Sequence, residues 1–459
     1  MEYNFDVKKI KYSSNSKIRN IELYKFLEFY FKNNRPKNFI NYEKELTKFL
    51  PEIMKMMSFD ELFNIIPNYY QFCYTVTIEE NFLDAQNKIL KNLLNPFSKI
   101  LIGKLKELKI EPLKYNLNHD NYVIFCRHAI TKGIYAPGSV IYSITSGLLK
   151  KQKKVILISL GGIDQKFVEL RKNNSNLILL SKDDDTSCYK QLINLRMICK
   201  KMQPAKIITE MPVNIGTALY FSKISSKIIY WSPGFTQVPW FDKVLLVPEL
   251  VNEKLMKNKK FIEVPKSLNF ELLNPKINPK VLNQFKNKHL ISNSDFVIGT
   301  FSRYEKISLE YLDLVSRVLS ENSSTKIIIA GPNDRSLAEN KLKKFIIRKQ
   351  AIVLGLSNIH ILGNCCHVFL DTIPFPCGSS AIEIMAKGKP VLSLEQLNLA
   401  NYKKSRVPEL ILKDEKELNK AIERLQNNTK FYSNMSIKSL ALAKSYDTGL
   451  ELANSIISI

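Results

Sequence analysis

From about residue 116 onward the chain alternates strand-sized apolar runs with helical patterns, and it does so twice, on either side of a polar break. The first series of runs is Tyr122–Cys126, Val155–Leu160, Leu177–Leu180, Lys206–Thr209 and Lys227–Trp231. Between them Ser139–Lys150, Thr186–Met202 and Ile215–Ile224 carry apolar residues at three- and four-residue spacing. Short strands without polar alternation bury both faces, and the intervening amphipathic helices are what covers them, so the pattern predicts a parallel sheet with helices on either side. The break, roughly Pro265–Ser294, is rich in Asn, Pro and Lys and includes LNPKINPK, which reads as a linker. The alternation then restarts: strand Phe296–Phe301, helix Ser308–Ser320, strand Lys326–Ala330, helix Leu337–Lys349, strands Ile359–Leu362 and Val368–Asp371, helix Ser379–Lys387 and strand Pro390–Leu394. From Asp414 onward the pattern is helical again.

Residues 1–115 have a different texture. Ile21–Lys32, Asn41–Leu50, Asp60–Tyr70 and Ala85–Leu94 have helical apolar spacing, and Gly103 is the one glycine in the stretch. No 34-residue repeat is evident. The expected organisation is therefore an all-helical domain over 1–115, an α/β domain over 116–270, a linker over 271–292 and a second α/β domain with C-terminal helices over 293–459. At 459 residues the chain has room for these parts, since domains average roughly 150 residues.

Composition narrows the function classes. With 45% hydrophobic and 24% charged residues the chain is an ordinary globular one, neither disordered nor collagen-like. No apolar run approaches the roughly 20 residues of a membrane span, and MEYNFDVKKIKY has no signal-peptide core, so a cytoplasmic protein is expected. Seven scattered cysteines, at 73, 126, 188, 199, 365, 366 and 377, read as reduced thiols in a cytosol. The net charge is +25, of which +12 falls within 116–270. A Lys-rich coding bias with solvated faces explains this spread, and so does a surface for anionic ligands or for peripheral contact with a membrane. No zinc-finger spacing or basic-aromatic motif points to nucleic acid.

The stretch that carries chemistry is 368–394, VFLDTIPFPCGSSAIEIMAKGKPVLSL. A buried strand ends at Asp371, a Pro-rich loop follows, and Gly378-Ser379-Ser380 opens a helix. Unpaired backbone N–H groups and two hydroxyls make such a turn an anion site, and Gly378 lets a phosphate approach the backbone. Glu383, one turn on, is placed to accept from ribose hydroxyls. The same residues also suit a capped core helix with a surface glutamate.

This stretch resembles the nucleotide-sugar diphosphate motif of GT-B glycosyltransferases, and within them family 41, which holds the O-GlcNAc transferases and bacterial adhesin N-glucosyltransferases. The likeness lies in a strand ending in Leu370-Asp371-Thr372, the Gly378-Ser379-Ser380 turn, the acidic residue in the helix and Gly388-Lys389-Pro390-Val391. IGTFSRYEKISLEYLDLVSRVL, KIIYWSPGFTQVP and the tail DEKELNKAIERLQNNTKFYSNMS are also similar to that family, so the resemblance covers roughly 120–445. It implies a GT-B fold, with two Rossmann-like domains facing a cleft and an added N-terminal helical domain. It implies an inverting, metal-independent transfer of a sugar from a nucleotide sugar, a UDP-sugar, to a polypeptide side chain. A glycan or lipid acceptor at a membrane face, or a degenerate protein that only binds, are the other readings.

Under this resemblance Lys306 falls where the family keeps a diphosphate lysine, and Arg303 where it keeps a polar residue. Both sit in one turn after a strand, suited to neutralising a leaving diphosphate. Gly378, Ser379 and Ser380 would hold the diphosphate and Glu383 the ribose. The position eight before Glu383 is Phe375, where retaining GT-B enzymes place a glutamate, which favours the inverting family. The acceptor base is left between His128, in RHAITKGIYAPGSV, and Glu210, in IITEMP, each at a strand end; Gly138-Ser139 opens the next helix. Asp183-Asp184-Asp185 reads as a solvated turn, so no metal and no cofactor is expected. Cys365-Cys366-His367 has no metal-ligand spacing. If Ile359–Leu362 is a strand, only 363–367 connect it to the next, fewer than the roughly ten residues a parallel crossover needs, so a shortened connection is expected there.

Overall fold

Two all-parallel sheets organise the chain in the computed structural model. The structure describes residues 50–51, 54–76, 89–131, 136–181, 187–211, 213–232, 238, 240–248, 251, 256–322, 324–331, 334–395 and 402–459. The helical patterns read at Ile21–Lys32 and over most of Asn41–Leu50 lie outside them, as do Asp183–Asp185.

The first sheet has seven strands: β1 Asn118–Cys126, β2 Lys154–Ser159, β3 Leu177–Ser181, β4 Pro204–Thr209, β5 Lys227–Trp231, β6 Lys243–Leu246 and β7 Phe261–Glu263. Their order is β3-β2-β1-β4-β5-β6-β7. All five runs expected from the sequence are strands. The short strands β6 and β7, four and three residues long, extend the sheet beyond β5 and are not among the expected runs. Helices Ala136–Lys150, Gln165–Lys172, Cys188–Met202 and Ile215–Phe221 connect the strands. The central strands are buried along their length: in β4 every residue is buried, as parallel strands under two helical layers must be.

Helices Phe59–Val76 and Asn95–Glu107, read from sequence as part of a separate helical domain, share one apolar core with this sheet. Phe63 packs edge-on against Phe97 at 5.8 Å, and Phe97 lies 6.0 Å from Trp240. The Asp60 carboxylate accepts from the Tyr189 N–H at 2.8 Å, which ties the first helix to helix Cys188–Met202.

The second sheet has six strands: β8 Phe296–Phe301, β9 Thr325–Ala330, β10 Ala351–Leu354, β11 Val368–Leu370, β12 Val391–Leu394 and β13 Ile411–Leu412, in the order β10-β9-β8-β11-β12-β13. The expected helix over 337–349 is two short ones, Ser336–Lys341 and Lys343–Ile347. The stretch read as a linker carries helix Pro279–Lys288, with Asn278 as its cap and Pro279 at its first position.

One assignment is overturned. Ile359–Leu362 is not a strand; Ile359–Cys365 is a helix, and the strand lies earlier, at β10. The Asn358 side chain accepts from the His360 N–H at 2.9 Å and starts the helix. Leu362 and Cys365 then share a buried face at helical spacing. The connection from β10 to β11 therefore spans 355–367, long enough for a parallel crossover, and is not shortened.

By contacts the chain falls into two compact units. Among the described residues the first holds those up to Ala129 and Leu148–Val264, the second Ile130–Gly147 and Pro265–Ile459. In the second, helix Gly449–Ser458 runs so close to helix Ala136–Lys150 that the Gly449 carbonyl leaves no room for a side chain at Gly147. No described helix is long and apolar enough to cross a membrane.

Candidate functional site

The loop after β11 is held from beneath by charge. Asp371, 2% exposed, turns both carboxylate oxygens inward. Oδ1 accepts from the Cys377 N–H at 2.6 Å and from the Thr372 N–H at 3.1 Å. Oδ2 accepts from the Ser393 hydroxyl at 2.9 Å and from Arg406 Nε and Nη2 at 3.0 and 2.7 Å. The fully buried Arg406 side chain also donates from Nη2 to the Cys377 carbonyl and from Nη1 to the Ser405 carbonyl at 2.9 Å. The Thr372 hydroxyl closes the loop from within by donating to the Phe375 carbonyl.

The neighbouring strand β8 delivers the cations. It ends at Phe301 and runs into a single 3-10 turn, Tyr304–Lys306, with Arg303 at its start. The Ser308 hydroxyl donates to the Ile373 carbonyl at 2.8 Å, fastening this turn to the loop after β11. The Lys306 ammonium reaches across to the Pro376 carbonyl at 3.1 Å, two residues before Gly378. Burial lowers the Lys306 pKa from its ordinary value, and the nearby Arg303 and Arg406 act the same way, while Asp371 and the Cys377 thiol oppose them. A desolvated ammonium with cations beside it gains most when an anion arrives.

Gly378 is the residue before helix Ser379–Met385, and no side chain caps that helix start. A Cβ added at Gly378 would meet nothing within 4 Å. Among the described residues neither the Ser379 nor the Ser380 hydroxyl has a hydrogen-bond partner. Glu383, half-buried, lies one turn in on the same helix. Burial pushes its carboxyl up to about 7, against the pull of Lys387. Lys387, itself lowered to about 8 by burial, donates to the Leu273 and Glu383 carbonyls at 2.6 and 2.9 Å. The second unit thus brings Arg303, Lys306 and the Gly378-Ser379-Ser380 turn into one neighbourhood, with Glu383 on the helix that the turn opens.

His128 and Glu210 belong to the first unit. Glu210, 3% exposed, accepts from the Arg127 N–H at 2.6 Å through Oε1. It therefore braces the end of β1 from the end of the adjacent β4, on the residue before His128. The two candidate bases are thus linked through the backbone. The His128 ring lies against Gly161 so closely that a side chain there would collide with Nδ1. Burial, with Arg127 beside it, lowers the His128 pKa below its ordinary value. Ser139 is buried, and its carbonyl accepts from the Ser143 hydroxyl at 3.1 Å.

Among the described residues no group of three or more His, Cys, Asp or Glu can hold a metal ion. Cys365 and Cys366 are buried, and His367 Nδ1 accepts from the Val297 N–H at 3.0 Å while its ring stacks on Phe296 at 5.3 Å, a packing role. The residue of this neighbourhood that sequence reading missed is Arg406. It stands 35 positions from its partner Asp371, and its neighbours in SRVPEL form no recognisable spacing.

No family model matches the chain. No curated protein matches it either. Solved structures do. A glycosyltransferase from Rickettsia africae ESF-5 is similar with a TM-score of 0.56 at 15% identity, covering 75% of this chain and 98% of its own. The Anabaena HepE protein in complex with UDP and glucose gives 0.53 at 12%, covering 73% and 98%. A mutant O-GlcNAc transferase of Thermobaculum terrenum gives 0.54 at 11%, covering 98% and 94%. At such identities the likeness establishes the fold: two parallel-sheet Rossmann-like units of the GT-B type.

Proposed function

We propose that this chain is a glycosyltransferase whose second unit binds a UDP-sugar, and that it moves the sugar to a polypeptide side chain with inversion and without a metal ion. The observation that carries the reading is the Lys306 ammonium on the Pro376 carbonyl, with Arg303 in the same turn, beside the Gly378-Ser379-Ser380 turn. A fold shared with glycosyltransferases, one of them solved with UDP and glucose, supports it.

In this reading the Gly378 backbone and the two serine hydroxyls receive the diphosphate, and the Glu383 carboxylate receives the ribose hydroxyls. As the acceptor attacks the anomeric carbon, the bond to the diphosphate oxygen breaks and the leaving group gains negative charge. Lys306 and Arg303 meet that charge where it develops, in a partly desolvated setting where each charge counts for more than in water. The acceptor proton goes to a general base, for which His128 and Glu210 are the candidates. His128, whose neutral ring is favoured by burial and by Arg127, is the better suited of the two candidates; Glu210 already spends one oxygen on the Arg127 N–H.

A thermal-shift panel of nucleotides and nucleotide sugars on the full chain tests the donor class. UDP and UDP-sugars are expected to raise the melting temperature in EDTA. A flat response to every nucleoside diphosphate would remove the reading.

A further inference from the structure

The Cys377–Gly378 peptide is gripped on both sides. The Cys377 N–H donates to Asp371 Oδ1 at 2.6 Å, and the Cys377 carbonyl accepts from Arg406 Nη2. Both partners are buried, and they are bonded to each other. The only cis bond among the described residues is Ile373–Pro374, so the Cys377–Gly378 peptide is trans. In a planar trans peptide the carbonyl and the next N–H point in opposite directions. Drawing the Cys377 carbonyl inward onto Arg406 therefore turns the Gly378 N–H the other way, away from the buried pair. The preceding carbonyl, of Pro376, is the one that carries the Lys306 ammonium.

We propose that Arg406 is a positioning residue for the diphosphate of the donor: by holding the Cys377 carbonyl it presents the Gly378 N–H to the phosphate and fixes the carbonyl on which Lys306 rests. This rests on the reading of the second unit as a UDP-sugar site. Without the guanidinium the peptide is free to rotate, and a rotated peptide would face a phosphate with a carbonyl oxygen instead of an N–H. Lysine at 406 retains the charge but not the planar fork that reaches Asp371, Ser405 and Cys377 together. The effect is local to the diphosphate, so it should not reach the nucleoside.

The test compares UDP with uridine on the full chain by titration, for wild type, Arg406→Lys and Gly378→Pro. The second variant removes the N–H itself and leaves both members of the buried pair in place, so it covers the case in which Arg406→Lys does not fold. Each folded variant is expected to lose about tenfold or more in UDP affinity, with uridine affinity kept within about twofold. Equal losses for UDP and uridine, or UDP affinity within about twofold of wild type in the folded variants, would overturn the positioning role. Wild-type chain that binds no UDP at all would instead overturn the donor-site reading, and the inference with it.

Discussion

Arg406 donates through two nitrogens, Nε at 3.0 Å and Nη2 at 2.7 Å, to a single oxygen of Asp371, and both side chains are buried. The pair lies directly beneath the loop that leads from β11 to the Gly378-Ser379-Ser380 turn. A buried pair of this kind is a weak source of net stability but a costly thing to break, because the surviving charge stays buried without its counter-ion.

Arg406→Met is therefore expected to destabilise the second unit by about 3–5 kcal/mol, and Arg406→Met with Asp371→Asn by clearly less. Urea titrations of wild type, both single variants and the double variant measure this. A double variant as unstable as the sum of the singles would mean that the two charges do not act as a pair.

Under the proposed function, Lys306→Ala removes the ammonium that would meet the leaving group. Turnover should fall by more than about tenfold with the melting temperature little changed, since charged hydrogen bonds are worth roughly 1.5–3 kcal/mol. Steady-state rates with a fixed acceptor check it, and near wild-type turnover would take Lys306 out of the site.

Glu383 makes a pH forecast. Its folded-state pKa, about 7, stands above the ordinary 4.5, so between those values the folded chain holds a proton the unfolded chain has lost. That contribution to stability is present at low pH and is lost as pH rises through about 7. Glu383→Gln should flatten this part of the profile and melt higher than wild type at pH 8. As a ribose acceptor the ionised carboxylate should also make wild-type UDP affinity exceed that of Glu383→Gln increasingly between pH 6 and 8. Melting curves and calorimetry across that range read both effects, and UDP affinities that match at pH 8 would sink the ribose role.

Much of this was visible in the residues. Continuous apolar runs such as FVIGTF at β8 are the mark of parallel strands, and the Gly378-Ser379-Ser380 turn stood out against a strand ending in Asp371. Ile359–Leu362 reads as a strand because Ile359, Ile361 and Leu362 are apolar and two of them β-branched, yet so short a run cannot separate strand from helix. The Asn358 cap, and not the run itself, held the answer. Arg406 is out of reach for a different reason: its contact with Asp371 joins segments 35 positions apart, and no local spacing encodes it. The same holds for Glu210, whose tie to the Arg127 N–H depends on β1 and β4 being neighbours in the sheet.

Metal independence is the next expectation. In the proposed reading Lys306 and Arg303 would supply the positive charge at the diphosphate, and among the described residues no group of three or more His, Cys, Asp or Glu could hold a metal ion. Transfer should proceed unchanged in EDTA. Activity lost with chelator and restored by Mn²⁺ or Mg²⁺ would contradict a purely cationic leaving-group site.

The most direct measurement of the central claim is calorimetric titration of UDP into the full chain in EDTA, beside the Arg303→Ala, Lys306→Ala double variant. The account predicts saturable binding of one UDP per chain by wild type and an affinity at least about tenfold weaker in the folded double variant. Absence of UDP binding by wild type, or binding that the double variant leaves unchanged, would contradict it.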